Sequence, residues 1–169
     1  MKTNRGKQFE DVTRKALKRD NFFVHRLQDS MGAFAGVSNP CDFIAFKTPY
    51  LYMLECKAVS GNTLNIAANL RPNQIDGMYR AFFEHENVVA GFLVWFVDKD
   101  IVRFIPAYMV GDAQLAGKKS FTAEDGYPIK AVKKRVLVDP SFIGPEWDKI
   151  RQKMKSYRDI VRGEDNGKN

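Results

Sequence analysis

The chain has 169 residues, enough for one good hydrophobic core and short for two. Its 27 Lys and Arg against 20 Asp and Glu leave a net charge of +7, a surplus that suits a polyanionic partner. No apolar run approaches the roughly 18 residues of a membrane span, and the two cysteines, Cys41 and Cys56, form neither a CxxC pair nor a zinc-ligand spacing.

The start, Met1 to Arg5, leads into a polar helix and not into a signal-peptide core, so a cytoplasmic protein is expected. Thr3 or Asn4 caps a helix reaching about Asp20, with Phe9, Val12, Ala16 and Leu17 on its apolar face and Glu10 at the edge of that stripe. Phe22-Phe23-Val24 reads as a short strand or connector. Residues 28–40 read as a loop of Ser, Gly, Asn and Pro, relieved only by Met31, Phe34 and Val37. Asp42 to Phe46 and Tyr50 to Lys57 read as two strands joined at Lys47-Thr48-Pro49, hence a hairpin.

After the polar loop at 60–63, a helix opens at Leu70–Gln74 and runs to about His85. Pro72 sits in its first turn, and Ile75, Met78, Tyr79, Phe82 and Phe83 form its apolar face. Val88 to Val97 is apolar throughout and is expected at the centre of the sheet. Ile101 to Ile105 is a further strand, 106–117 holds a short helix, and 136–138 is a candidate strand in the mixed stretch 118–144. Trp147, Ile150, Met154, Tyr157 and Val161 recur at helical spacing before a polar tail at 163–169. The expected organisation is therefore one α/β domain over 1–162, a mixed central sheet flanked by helices, and a C-terminal tail.

The chemistry is concentrated in the hairpin. Asp42 is followed by twelve residues and then Glu55-Cys56-Lys57. Strand side chains alternate, so Glu55 and Lys57 share a face while Cys56 points away. Charged groups at the ends of apolar strands are costly unless compensated. Two carboxylates there can hold Mg²⁺ or Mn²⁺, with the Cys56 backbone carbonyl as a further oxygen ligand. A lysine beside them can stabilise charge on a phosphate. The pattern also arises by chance as a surface salt bridge. Basic clusters over 2–19, at 130–135 and over 146–162 add weight to the nucleic-acid reading. His25 and His85 lack partners at metal spacing, and the aromatics Phe82, Phe83, Phe92, Trp95 and Phe96 read as core.

Taken together, these residues resemble the PD-(D/E)XK nucleases, and more closely the RecU-type Holliday junction resolvases of Gram-positive bacteria and their phages. The similarity rests on Asn4-Arg5-Gly6 with Phe9-Glu10, on Asp42 and Glu55-Cys56-Lys57, on Leu70 through Gln74-Ile75, and on Tyr127-Pro128-Ile129. The resemblance implies a restriction-endonuclease-like core and a homodimer. It implies Mg²⁺-dependent paired nicking of four-way and related branched DNA, in a compact phage enzyme. Asp42 and Glu55 would be metal ligands, Lys57 the catalytic lysine, Glu10 an accessory acid and Gln74 a site-organising amide, which without the resemblance reads as exposed. Arg5, Lys7 and Arg71 would contact DNA. Three departures stand out: Cys41 separates Pro40 from Asp42, Asn73 stands where the family has His, and the stretch between the first helix and Asp42 is shorter than in the family, whose stalk inserts into the junction centre, so residues 28–40 form a reduced stalk or none. A sequence-specific nuclease of the same fold and a non-catalytic DNA-binding module are the alternatives.

Overall fold

A computed structural model of the chain describes residues 4–28, 39–129 and 149. Helix α1 (Arg5–Arg19) is capped by Asn4, whose side-chain oxygen accepts from the Lys7 amide at 3.2 Å. Its buried face is Phe9, Thr13, Ala16 and Leu17. Thr13 thus takes the place expected for Val12, which stays half-buried, because Thr13 rather than its neighbour faces the sheet and meets the Cys56 thiol.

The strands follow as β1 (Phe23–Arg26), β2 (Phe43–Lys47), β3 (Tyr50–Val59) and the short β4 (Thr63–Asn65). A single turn, α2 (Ile66–Asn69), precedes α3 (Pro72–Glu84); then come β5 (Val88–Phe96), β6 (Ile101–Pro106), α4 (Ala107–Leu115), β7 (Ser120–Thr122) and β8 (Tyr127–Ile129). The main sheet has the order β1-β2-β3-β5-β6-β8, with β3 and β5 parallel and its other neighbours antiparallel. The expected α/β architecture, a mixed sheet flanked by helices, is what the chain adopts.

Burial on both faces explains why β5 is apolar throughout. Phe9, Ala16 and Leu17 of α1 cluster with Tyr52, Leu54, Cys56 and Leu93 on one face. Ile75 and Met78 of α3, with Val110 of α4, cluster with Ala90, Phe92, Val94 and Ile105 on the other. Tyr79 and Phe83 are only half-buried and flank this contact. The pair β4–β7, the turn α2 and the strand β8 were not expected from the sequence. Strands of three residues carry too little alternation to be read alone.

The expected loop 28–40 is described only at Gln28, Asn39 and Pro40. The basic cluster at 130–135, the strand at 136–138, the helix after Trp147 other than Lys149, and the tail at 163–169 lie outside the described residues. Among the described residues no helix is long and apolar enough to cross a membrane.

Candidate metal centre on the hairpin

Strand β3 is twice as long as β2, with ten residues against five. The β2 ladder begins at Phe43, opposite Leu54, so the rest of β3 runs past the end of its neighbour. Asp42 fills that gap. Its amide donates to the Leu54 carbonyl at 3.1 Å, so Asp42 and Phe43 are both set against Leu54, the two-against-one arrangement of a β-bulge. Its Oδ2 accepts from the Cys56 amide at 2.7 Å. A side chain thereby supplies the acceptor that β2 no longer offers. In a strand the N–H and C=O of one residue face the same side, so the Cys56 carbonyl is turned toward the same gap.

Glu55 is 4% exposed, which for a carboxylate demands partners. It has two. Lys57, on the same face of β3, places Nζ 2.8 Å from Oε1. Gln74 donates from Nε2 to the same oxygen at 2.7 Å. The Arg71 amide donates to Gln74 Oε1 at 3.2 Å. That bond fixes which end of the amide faces Glu55, since an N–H needs the oxygen and leaves the nitrogen for the carboxylate. Gln74 is thus buried, at the third position of α3, and not exposed as its type alone suggests. The first turn of α3 brings the positive end of the helix toward Glu55.

Burial, and next the nearby Glu55 charge, push the Asp42 carboxyl up to about 7 against the relief given by the Cys56 amide; Glu10 raises it further and Lys57 lowers it. The Cys41 thiol rises to about 12, chiefly through burial and then through the same two carboxylates. Cys56, fully buried against Thr13, is pushed well above its ordinary value by burial. Neither thiol forms a disulfide, and both are inert packing groups at neutral pH.

Glu10 comes to this edge from α1. Both Nε and Nη2 of Arg26 donate to its Oε2, at 3.1 and 2.7 Å. Sequence reasoning missed Arg26: nothing in β1 marks one arginine, and only the fold brings it across to α1. Arg5 is exposed at the start of α1, with Nη1 donating to Ser60 Oγ at 3.3 Å just past the end of β3. Lys7 is exposed one half-turn on, and Arg71 is exposed at the cap of α3.

Asp42, Glu55, Lys57 and Gln74 are therefore brought together, with the Glu10 charge at their edge. Among the described residues no three His, Cys, Asp or Glu side chains cluster as a closed metal cage. Two carboxylates and one carbonyl form a hard-oxygen donor set that leaves places for water, as Mg²⁺ prefers. The like-charge strain on Asp42 is what a divalent cation would relieve, so the residues present fit such an ion.

No protein-family model matches the chain. No curated protein matches it either. Among solved structures, the chain is similar to that of Hjc, a Holliday junction resolvase from the archaeal hyperthermophile Archaeoglobus fulgidus. The match has 24% identity over 62% of this chain and 78% of that one, with a TM-score of 0.45.

Proposed function

We propose that this chain is a divalent-metal-dependent, structure-selective endonuclease that cuts four-way and related branched DNA as a homodimer. The observation that carries the reading is the convergence of Asp42, Glu55 and Lys57 at the end of β2, with Glu55 buried and held by Gln74. A buried Glu55 whose like charge burdens the half-buried Asp42 is poor structural design unless a cation belongs there.

Asp42, Glu55 and the Cys56 carbonyl would hold Mg²⁺, with Mn²⁺ as a substitute. When bound, such an ion supplies a water of lowered pKa and neutralises charge on the scissile phosphate. Lys57, tethered by Glu55, is a fixed cation at hand for the negative charge that grows on the phosphate. Gln74 keeps Glu55 in one orientation, and Arg26 does the same for Glu10. Arg5, Lys7 and Arg71 are exposed cations suited to the DNA backbone. The branched substrate and the paired nicks follow from the motif resemblance to RecU-type resolvases, in which two copies act on opposed strands.

The test is cleavage of a synthetic immobile four-way junction beside linear duplex and Y-shaped controls, with Mg²⁺ and with EDTA. The expected result is two symmetric nicks in the junction, lost with EDTA and lost in Asp42→Asn. Equal cutting of linear duplex would reassign the chain to a general or sequence-specific nuclease. Tight junction binding with no cutting in either metal would make it a binding module.

A further inference from the structure

A glycine inside a helix costs about 1 kcal/mol relative to alanine. Gly77 lies in the middle of α3, and it is not among the glycines of positive φ, so backbone freedom does not account for it. Space does. A Cβ at position 77 would stand 3.0 Å from the Cβ of Pro40 and 4.0 Å from its Cγ. Pro40 lies two residues ahead of Asp42.

The same turn of α3 makes two further contacts. Asn73 Nδ2 donates to the Asn39 carbonyl at 3.4 Å, and Gln74 Nε2 donates to Glu55 at 2.7 Å. Positions 73, 74 and 77 lie on one face of a helix. One helical turn therefore grips the segment leading into Asp42 and, separately, Glu55. Pro40 has little room to retreat. Asn39 is tied to the Gln28 carbonyl at 2.6 Å, Cys41 is 2% exposed, and the Asp42 amide is held by Leu54.

We propose that Gly77 is a positioning residue of the metal centre. The absent side chain lets α3 seat directly on Pro40, so that one rigid element sets the distance between the Asp42 and Glu55 carboxylates. The inference rests on the metal reading of the site. It names a determinant of ion choice: Mg²⁺ demands near-ideal octahedral geometry with bonds of about 2.0–2.1 Å, whereas Ca²⁺ accepts about 2.3–2.6 Å in flexible arrangements. Moving the seat by a few tenths of an ångström penalises the smaller ion.

The experiment is calorimetric titration of the DNA-free protein with MgCl₂ and with CaCl₂, for wild type, Gly77→Ala, Pro40→Gly and the double variant. A glycine that serves only the packing of α3 on Pro40 predicts that Gly77→Ala changes stability and leaves the binding of both ions unchanged. The expected result is at least about threefold weaker Mg²⁺ binding in Gly77→Ala with Ca²⁺ little altered, and recovery of Mg²⁺ in the double variant, where the Pro40 Cβ is gone. Should Gly77→Ala not fold, Pro40→Gly alone empties the seat and is expected to erode the Mg²⁺ preference. Equal losses for both ions, unchanged Mg²⁺ binding, or no recovery in the double variant would overturn the role of Gly77 while leaving the nuclease reading in place. Wild-type protein that binds neither ion would remove both.

Discussion

The two faces of β3 obey different rules. Toward α1, Tyr52, Leu54 and Cys56 are buried against Phe9, Ala16 and Leu17, and Thr13 is the polar group that α1 buries there. Toward α3, the same strand carries Glu55 and Lys57 beside Phe92 and Val94 of β5. The first face gains free energy from apolar area removed from water. The second keeps charge where a hydrophobic pair of equal size would be at least as stable. One strand thus separates its core-packing side chains from its charged ones by their period of two. A stability cost confined to one face is what the proposed metal centre predicts for that face.

The comparison breaks most sharply at Lys57. Lys57→Ala is expected to lower the rate of junction cutting by about 100-fold or more, with junction binding by mobility shift retained; the folded protein also loses some stability, because buried Glu55 keeps only Gln74, but the loss of activity dominates. The opposite signature is expected one face away. Leu54→Ala, at a site with no exposure, should cost about 2–5 kcal/mol in urea unfolding, with the specific activity of the folded fraction kept.

Gln74→Ala lies between these two. It strips a donor from buried Glu55 and an acceptor from the Arg71 amide, and a loss of about 1–3 kcal/mol is expected together with weaker Mg²⁺ binding. Loss of stability with full Mg²⁺ affinity would reduce Gln74 to a helix cap.

Asp42 gives the comparison its pH dependence. Its folded pKa of about 7 lies above the roughly 3.9 of an unfolded Asp. Between these values the folded state holds the extra proton, so metal-free stability should fall as pH rises from about 4 to about 7. Asp42→Asn should flatten that slope and leave the metal-free protein more stable at pH 8 while abolishing cutting. Mg²⁺ affinity should rise over the same interval, because binding needs the ionised carboxylate. A stability profile independent of position 42 would mean that the pair is not strained. The smallest effect is expected from Thr13→Val on the α1 face. Its side chain accepts from the weak Cys56 thiol donor at 3.6 Å, so chemical denaturation should move by less than about 1 kcal/mol.

The parts of the site that could be read from residues alone are the local ones. Asp42, Glu55 and Lys57 belong to a hairpin whose pairing follows from alternation and a short turn, and neighbours in a hairpin are neighbours in sequence. Gln74 was legible only through motif resemblance, because the burial of an amide depends on which element lies over it. Arg26 and its grip on Glu10 were not legible, since β1 and α1 meet only once both lie against the sheet. Thr13 displaced Val12 for a related reason: on a helix the two are about 100° apart, and the neighbouring strand chooses between them.

By itself the sequence determined the α/β order, the apolar centre at Val88–Phe96 and the three charged groups of the hairpin, because these follow from periodicity and contacts over short stretches of chain. Tertiary structure decided what surrounds them. It set the bulge that aims Asp42 at the Cys56 amide, the turn of α3 that locks Glu55 through Gln74, and the contact of Gly77 with Pro40. Each depends on the close packing of segments distant in sequence, and no local pattern encodes that.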